Sequence, residues 1–303
     1  MGTNQLHTVY YVLDNFKICN KYENIFTKNY SGLIVFETVT RNIALPDFYI
    51  DIYKNKKIDF SLLNNFTIFF LKNFCTKAIE KLLKPLVLFK EVPEVIISKY
   101  WVRVYTHESP FYSIMNKFLM NNIYKEYEVY IKLLYRGLAC NSYKPIYDST
   151  LSRGTKLELD EIEYLKSIAG KNITVFNKSF LSFSLNLQLS IKFQENETRD
   201  NVTEVKEDYN TKQLKKDSLN VLIKINNISE HDKEDYVISN AYLKNISYYS
   251  KEEEVLIFPF TGFEVISWKK EIFEKKDYYE ESTVFEFRFS RNFLQKIKRK
   301  YEN

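Results

Sequence analysis

The order of the predicted secondary-structure elements is the feature that most constrains the fold of this 303-residue chain. Apolar residues recur at helical spacing from Ser61 to about Phe89, from Val92 to Trp101, and from Tyr124 to Leu138. After Pro145 the apolar segments become short and rich in β-branched and aromatic residues, which is typical of strands. Helices first and strands afterwards predict an α+β fold with a mostly antiparallel sheet.

The strand-like segments cover both ends of the chain. Two lie near the N-terminus, and the others follow Pro145; the segments are residues 8–13, 33–39, 151–155, 174–176, 180–185, 220–225, 254–260, 263–268 and 283–289. One helix is predicted among them, from Leu159 to Ile168, with Asp160 as its N-cap and Gly170 as its stop signal. Residues 194–217 are polar, charged and nearly free of apolar residues, which predicts an exposed loop insertion.

The motifs that carry chemistry are confined to the second part of the chain. Residues 1–92 contain none that we can attach to a reaction, so they form a separate small domain or an N-terminal extension of unknown role. Residues 93–303 are long enough for one domain with its own core. We therefore expect the functional site to lie within residues 93–303.

Charge and metal-ligand chemistry exclude several classes of partner. The net charge of +5 is mild, and the basic run in the tail from Lys296 to Tyr301 predicts a solvated helix end rather than a nucleic-acid site. The three cysteines and three histidines are scattered without metal-ligand spacing; they are Cys19, Cys75, Cys140, His7, His107 and His231. We expect no disulfide framework and no metal site.

The N-terminus has neither a basic start nor an apolar run, and no stretch of 18 apolar residues occurs anywhere in the chain. These features predict a soluble, cytoplasmic protein without a Sec-type signal or a membrane span. Export by another route stays open. No Gly-x-Gly-x-x-Gly turn and no Gly-x-x-x-x-Gly-Lys-Ser/Thr loop is present, which disfavours Rossmann dehydrogenases and P-loop enzymes.

An acidic triplet precedes a hydrophobic strand near the C-terminal end. Glu252, Glu253 and Glu254 are followed by Val, Leu, Ile and Phe. Strand alternation predicts that Glu252 and Glu254 point to one face and Glu253 to the other. Two carboxylates fixed on one face could act as a general base and as a stabiliser of positive charge. The alternative is a solvated charge run that closes a loop.

Three motifs occur in an order that resembles the Arg–Ser–Glu class of mono-ADP-ribosyltransferases, of the arginine-specific Glu-x-Glu type. Leu151-Ser-Arg-Gly-Thr-Lys156 is similar to the arginine element, with Ser152 where an aromatic residue is common. Ser179-Phe-Leu-Ser-Phe-Ser-Leu185 is similar to the Ser-Thr-Ser strand, with Phe183 in place of Thr. Residues 252–265 resemble the catalytic strand and the turn after it. The resemblance covers roughly residues 95–290.

The resemblance implies a split antiparallel β-sheet core with a helical N-terminal portion, NAD+ as co-substrate, and an arginine-bearing target protein as acceptor. Residues 93–303 would be the catalytic domain. The roles that it implies concern two groups of residues, one that binds NAD+ and one that carries out the transfer. Arg153 would bind the NAD+ phosphates, Gly154 would allow the nicotinamide to approach the backbone, and Ser184 would support the strand from behind. Ser182 would hydrogen-bond near both the nicotinamide ribose and the catalytic carboxylate, and so belongs to both groups. Glu254 would be the catalytic carboxylate, Glu252 would accept the proton of the acceptor, and Tyr248 and Tyr249 would contact the target.

Two alternatives stay open at this point. Arg136, in Tyr135-Arg136-Gly137, matches the arginine motif more literally, although it continues an amphipathic helix, whereas the family's arginine lies on a strand. The chain could also be a catalytically inactive relative that serves as a binding or structural module. The replacements at Ser152 and Phe183 and the long 194–217 insertion favour the inactive module, and the presence of both Glu252 and Glu254 favours the enzyme.

Overall fold

The computed structural model describes residues 37–38, 81, 93–107, 112, 115–116, 119, 128–139, 148–196, 218–226, 240–259, 261–274 and 278–290. Contacts between Cα atoms divide these residues into two compact units. The first unit contains the described residues from 81 to 139 together with Asn245–Ser250. The second contains the described residues at 37–38, from 148 to 244, and from 251 to 290. The predicted boundary after residue 92 stays a prediction, because residues 1–92 lie almost entirely outside the described part.

Two helices of the first unit have bounds within the described residues. Helix α1 spans Glu94–Tyr105 and helix α2 spans Glu128–Ala139. Pro93 directly precedes α1, at a position where the backbone N–H that proline lacks would have no partner within the helix. The Pro93 carbonyl oxygen accepts the first hydrogen bonds of the helix, from the N–H groups of Ile96 and Ile97. Both predicted helical segments, 92–101 and 124–138, are confirmed where they are described. Of the segment 61–89, the structure describes Lys81, which is helical; the rest of that segment lies outside the described residues.

Gly137 allows α1 and α2 to lie close together. A Cβ atom added at this glycine would lie 2.6 Å from the carbonyl oxygen of Ser98 on α1, which is too close for any side chain. The same interface buries the indole of Trp101 edge-to-face against Tyr130, with the ring centroids 4.8 Å apart. The glycine of Tyr135-Arg136-Gly137 therefore has a packing role between helices.

The second unit contains a single nine-stranded sheet within the described residues. Its strands are β1 (Glu37–Thr38), β2 (Thr150–Glu158), β3 (Thr174–Phe176), β4 (Leu181–Ser184), β5 (Ser218–Asn226), β6 (Asn240–Tyr242), β7 (Glu254–Ile257), β8 (Gly262–Glu274) and β9 (Tyr279–Phe289). The strand order is β1-β3-β8-β9-β5-β2-β4-β7-β6. Every pair is antiparallel except β5 with β9. The predicted α+β class with a mostly antiparallel sheet is confirmed.

Alternating strand residues and one face of a helix form the core of this unit. The helix, α3, spans Leu159–Ile168. Its buried residues Ile162, Leu165 and Ile168 lie in one cluster with inward-facing strand residues, which include Leu151, Leu157, Val175, Leu181, Phe183, Val221, Ile223, Val255, Ile257, Phe285 and Phe287. Each such side chain contributes roughly 1.5–3 kcal/mol when it is fully buried. The alternation of apolar and polar residues in these strand sequences follows from the burial of every second side chain.

The ends of α3 correct one prediction and confirm another. Asp160 is the second residue of the helix, and the N-cap is Glu158, whose N–H donates to Glu161 Oε2 at 2.9 Å. The prediction of Asp160 as the cap is wrong because β2 runs directly into α3 without a loop residue between them. Gly170 has a φ of 73°, a conformation that glycine adopts without strain, and it follows the last turn as predicted.

Several elements differ in extent from the prediction. The strand predicted over 151–155 continues through Gly154 to Glu158. Helix α4, Leu187–Asn196, was not predicted, and it includes the first residues of the predicted 194–217 loop; the rest of that loop lies outside the described residues. Strand β6 was also missed. Strands β8 and β9 are longer than predicted because their outer halves are exposed and charged, so their sequence lacks a strand-like apolar pattern.

Candidate active site

Three neighbouring strands bring the three sequence motifs together. Strand β2 carries Arg153 and Gly154, and it pairs with β4, where Ser152 lies opposite Ser184. Strand β4 pairs in turn with β7, where Ser184 lies opposite Glu254. Segments that are far apart in sequence therefore become adjacent within one sheet.

Alternation separates a polar face from the core face on these strands. Phe183 and Val255 lie opposite each other, and both belong to the hydrophobic core. Side chains of consecutive strand residues point to opposite faces. Ser182, Ser184 and Glu254 therefore share the face of the β4–β7 pair that is turned away from that core.

The main-chain groups of β4 are divided between its two neighbours. The Leu185 N–H donates to the carbonyl oxygen of Glu253, on the β7 side, at 3.3 Å. In an antiparallel ladder, alternate residues bond to opposite neighbours. The carbonyl groups of Ser182 and Ser184 consequently face β2.

Side chains of β2 bind both of these carbonyl groups. Arg153 Nη1 donates to the Ser182 carbonyl oxygen at 2.8 Å, and Ser152 Oγ donates to the Ser184 carbonyl oxygen at 3.2 Å. A guanidinium donor makes the first of these a charge-assisted hydrogen bond, worth about 1.5–3 kcal/mol. The predicted arginine of the site thus contacts the main chain of the predicted serine, and Arg153 itself is half-buried.

The two serines of β4 differ in how their hydroxyl groups are used. Ser184 Oγ donates to the carbonyl oxygen of Glu252 at 2.8 Å and accepts from the Asn186 N–H at 2.9 Å. The Ser182 hydroxyl makes no hydrogen bond with any residue in the described part of the chain. Ser184 therefore connects the end of β4 to the turn that contains Glu252.

Glu252 does not lie on the strand, contrary to the prediction from alternation. It ends a short 3₁₀ turn, Ser250–Glu252, and strand β7 begins only at Glu254. Between them Glu253 has a φ of 47°, in the left-handed region. The alternation argument that placed Glu252 and Glu254 on one face is therefore wrong for Glu252, because the chain reverses its local handedness between the two carboxylates.

Glu254 is buried at the start of β7. Its side chain is 7% exposed, and its carbonyl oxygen accepts from the Leu243 N–H at 2.8 Å. Burial of a carboxylate is costly unless it is compensated, which makes Glu254 a candidate functional group.

Helix α4 supplies site residues that the sequence reasoning missed. Ser190 Oγ donates to the Ser152 carbonyl oxygen at 2.8 Å, and its oxygen lies 3.0 Å from Ser152 Oγ. Asn186 Oδ1 accepts from the Leu189 N–H at 3.2 Å, as an N-cap does. In the sequence, the asparagine directly ahead of Leu187 is the signal that marks the start of this helix.

Tyr248 and Tyr249 lie in the first unit, in the segment Asn245–Ser250. The Tyr248 N–H donates to Thr106 Oγ1 at 2.9 Å, next to the end of α1. The Tyr248 ring lies edge-to-face against His107, with the centroids 4.5 Å apart, and the guanidinium carbon of Arg103 lies 5.7 Å from its centroid. Sequence reasoning had not assigned a role to any of these three α1 neighbours.

Within the described residues, no group of three or more His, Cys, Asp or Glu side chains is arranged to hold a metal ion. The same part of the chain contains no helix that is long and apolar enough to cross a membrane.

No protein-family model and no curated protein matches this sequence. Among solved structures it is similar to the Vis toxin, an ADP-ribosyltransferase from Vibrio splendidus, with 17% identity and a TM-score of 0.40 over 71% of this chain and 83% of that one. It is also similar to the enzymatic component of the C2-toxin from Clostridium botulinum, with 15% identity and a TM-score of 0.42 over 72% of this chain and 48% of that one.

A third similar structure is HopU1, an ADP-ribosyltransferase of Pseudomonas syringae pv. tomato DC3000. The identity is 12% and the TM-score 0.42, over 83% of this chain and 100% of that one. At TM-scores below 0.5, a function for this chain has to be argued from the geometry of its own site.

Proposed function

We propose that this chain is a mono-ADP-ribosyltransferase that transfers ADP-ribose from NAD+ to arginine side chains of a target protein and releases nicotinamide. In the absence of an acceptor it would hydrolyse NAD+. One observation carries the proposal: Arg153 reaches the main chain of Ser182, 29 residues away, while Ser184 reaches that of Glu252, 68 residues away. Motif matches that arose by chance would not be expected to lie on three adjacent strands, as those on β2, β4 and β7 do.

Arg153, Gly154 and Ser182 would bind NAD+. A guanidinium presents a planar set of donors to phosphate oxygens, and the bond from Nη1 to the Ser182 carbonyl oxygen orients that plane. Gly154 has no Cβ, which allows the nicotinamide amide to approach the backbone of β2. The hydroxyl of Ser182 would donate to the nicotinamide ribose.

Glu254 would promote cleavage of the bond between nicotinamide and ribose. As that bond breaks, its electron pair leaves with the nicotinamide nitrogen, and positive charge develops on the ribose ring. A carboxylate bound to the ribose 2′-hydroxyl stabilises this charge, and it does so more strongly in a buried site than in water. The burial of Glu254 supports this role.

Glu252 would act on the acceptor. A guanidinium nitrogen of the target arginine forms the new bond to the ribose carbon, and the proton that it loses passes to the Glu252 carboxylate. The position of Glu252 in a turn ahead of β7, rather than on the strand, separates the two carboxylates into two structural elements. Tyr248 and Tyr249, a few residues earlier in the chain, would contact the target protein.

A catalytically inactive binding or structural module is the second candidate. One observation favours it: Arg153 already uses Nη1 on a main-chain carbonyl group. If this arginine serves only to join β2 to β4, the site binds no NAD+. We further propose residues 93–303 as the catalytic domain, to whose sheet strand β1 (Glu37–Thr38) adds one strand from residues 1–92.

Nicotinamide release from NAD+ tests the proposal, measured with and without agmatine as an arginine analogue. We expect turnover that agmatine increases and that Glu254→Ala lowers by at least about 100-fold. The matched control is Glu253→Ala, the middle acid of the same triplet, which we expect to retain turnover. Absence of both turnover and NAD+ binding in the wild-type protein would support the inactive module instead.

A further inference from the structure

Strands β2 and β4 are joined by very little main-chain pairing. Within the described residues, β2 pairs with β5 at nine consecutive positions, from Thr150 to Glu158, but with β4 only where Ser152 lies opposite Ser184. A ladder of one pair determines the spacing of two strands weakly, because main-chain hydrogen bonds join them at one place only. At this β2–β4 junction the position of the strands therefore depends on hydrogen bonds from side chains.

The β2–β4 junction lies between two groups of proposed site residues. Arg153 and Gly154 are on β2. Ser182 is on β4, and Glu254 is on β7, which pairs with β4 at four positions. The arginine that would bind the NAD+ phosphates therefore keeps its place relative to the carboxylate only if β2 keeps its place against β4.

Helix α4 contributes a hydroxyl group to this junction. Ser190 is 1% exposed, and its Oγ donates to the Ser152 carbonyl oxygen at 2.8 Å. The same oxygen lies 3.0 Å from Ser152 Oγ, which donates to the Ser184 carbonyl oxygen at 3.2 Å. The two hydroxyl groups together connect α4, β2 and β4.

The first turn of α4 is itself bonded to β4, which fixes the position of Ser190. The Ser190 N–H donates to the Asn186 carbonyl oxygen at 3.2 Å, and the Asn186 N–H donates to Ser184 Oγ at 2.9 Å. Ser190 is thus held relative to β4 while its hydroxyl group binds β2. Loss of that hydroxyl group would leave the Ser152 carbonyl oxygen without this donor.

The bond from Ser190 acts on the peptide group next to Arg153. The Ser152 carbonyl group and the Arg153 nitrogen belong to one planar peptide unit. A rotation of this unit changes the direction in which the Arg153 side chain leaves the strand. Arg153 Nη1 reaches the Ser182 carbonyl oxygen at 2.8 Å, so its guanidinium group depends on that direction.

We propose that Ser190 is a positioning residue for NAD+ binding, which acts through Ser152 to hold the β2–β4 junction and to orient Arg153. The inference rests on the proposed transferase function, which supplies the role of Arg153 toward NAD+. Ser152 stands where the arginine element commonly has an aromatic residue, and its contact with Ser190 gives this departure a role. Because the phosphates stay bound to Arg153 throughout cleavage, loss of Ser190 weakens binding rather than the chemical step.

The kinetics and the affinity of the full chain toward NAD+ test this assignment. Nicotinamide release over a range of NAD+ concentrations gives KM and kcat, and calorimetric titration gives Kd without any need for turnover. Ser190→Ala is expected to raise KM and Kd about three- to tenfold and to change kcat by less than about twofold. A residue that only stabilised the fold would lower the fraction of active protein, and hence the apparent kcat, at an unchanged KM.

The matched control is Ser167→Ala on α3. Ser167 is an exposed helical serine whose hydroxyl group donates to the Tyr164 carbonyl oxygen of its own helix, at 2.7 Å. It has the same residue type and the same helical setting as Ser190, without a bond to a strand. Ser167→Ala is expected to keep the KM, kcat and Kd of the wild type.

A double-mutant cycle with Ser152→Ala tests whether Ser190 acts through Ser152. The two hydroxyl oxygens are in contact, so the increase in Kd of the double variant is expected to be smaller than the product of the two single increases. Two increases that simply multiply would show that the residues act independently.

The proposal is overturned if Ser190→Ala leaves KM and Kd unchanged, if it lowers only kcat, or if the cycle shows independent effects. A wild-type protein that binds NAD+ but releases no nicotinamide, with a raised Kd in Ser190→Ala, would disprove the transferase function and leave the positioning role intact. Wild-type turnover that Ser190→Ala does not alter would disprove the positioning role alone. A wild-type protein that binds no NAD+ would overturn both.

Discussion

The hydroxyl of Ser184 donates a 2.8 Å hydrogen bond to the carbonyl oxygen of Glu252, across 68 residues of sequence. This bond ties the end of β4 to the turn that carries one of the two proposed catalytic acids. Because Glu252 lies outside the strand, the sheet ladder alone does not determine its position. The Ser184 hydroxyl supplies that constraint from the neighbouring strand.

Ser184→Ala is expected to lower the free energy of unfolding by about 0.5–1.5 kcal/mol, because the Asn186 N–H loses its acceptor and the Glu252 carbonyl its donor. Ser182→Ala is the matched control, since the Ser182 hydroxyl makes no hydrogen bond with a described residue. We expect it to reduce NAD+ turnover with little effect on stability. Urea unfolding and nicotinamide release measure the two properties separately, and equal stability losses in both variants would contradict the assigned roles.

Glu252→Gln is expected to separate transfer from hydrolysis. The amide cannot accept the proton of the acceptor guanidinium, so agmatine-dependent turnover should fall by about 100-fold or more. Hydrolysis of NAD+ by water should persist, because Glu254 is intact. The assay is nicotinamide release at saturating NAD+ over a range of agmatine concentrations. Glu253→Gln, with a neighbouring acid changed in the same way, should affect neither rate; a loss of hydrolysis in Glu252→Gln would place this residue in bond cleavage instead.

Arg153→Lys and Arg136→Lys together identify the motif arginine. A lysine at position 153 keeps the charge but loses the planar donor set, and we expect NAD+ binding to weaken about tenfold or more. Arg136 lies on α2, where Gly137 after it is required for close packing against α1. Arg136→Lys should therefore leave the NAD+ affinity unchanged. Calorimetric titration with NAD+ compares the two variants, and the reverse result would move the site to α2.

Tyr130 is expected to make the protein sensitive to alkaline pH. Burial in the first unit, with a smaller contribution from Tyr105, raises the pKa of Tyr130 well above the ordinary value of 10.0. The unfolded state loses its phenolic proton first, so the stability contributed by the neutral phenol is complete below about pH 10 and is lost as the pH rises above it.

Tyr130→Phe should accordingly flatten the fall in the free energy of unfolding above about pH 10. Tyr279→Phe, at an exposed position, is the control and should leave the slope as it is in the wild type. Urea unfolding at a series of alkaline pH values measures the slope. An unchanged slope in Tyr130→Phe would mean that the buried phenol is not linked to unfolding.

Local sequence patterns predicted the elements whose side chains are buried in regular alternation. Strand β3 has the predicted bounds, and β5 extends the predicted segment by two residues at its start and one at its end. Helix α3 also has the predicted bounds, and its stop at Gly170 follows from the left-handed conformation there. In these segments the hydrophobic pattern and the backbone preference agree, so short-range information was sufficient.

Elements that depend on distant partners were missed or misplaced. The outer halves of β8 and β9 are exposed and are stabilised mainly by pairing with each other. Helix α4 contacts β2 through hydroxyl groups rather than through a long apolar stripe, as the Ser190–Ser152 bonds show. Glu253 adopts a left-handed backbone conformation, so Glu252 lies in a turn and not on the strand. Glutamate rarely adopts this conformation, and its residue type therefore gave no indication of it.

The sequence by itself determined the α+β class, most strands of the sheet and the identity of the candidate site residues, because residue type and hydrophobic period act over short distances. Only the tertiary structure decided how those residues are used. In the folded chain Arg153 donates to the Ser182 carbonyl oxygen, the Ser184 hydroxyl donates to the Glu252 carbonyl oxygen, and the Tyr248 N–H donates to the Thr106 hydroxyl. Each of these bonds joins residues whose separation in space is set by strand register and helix docking, which depend on the packing of the whole unit and cannot be read from any local segment.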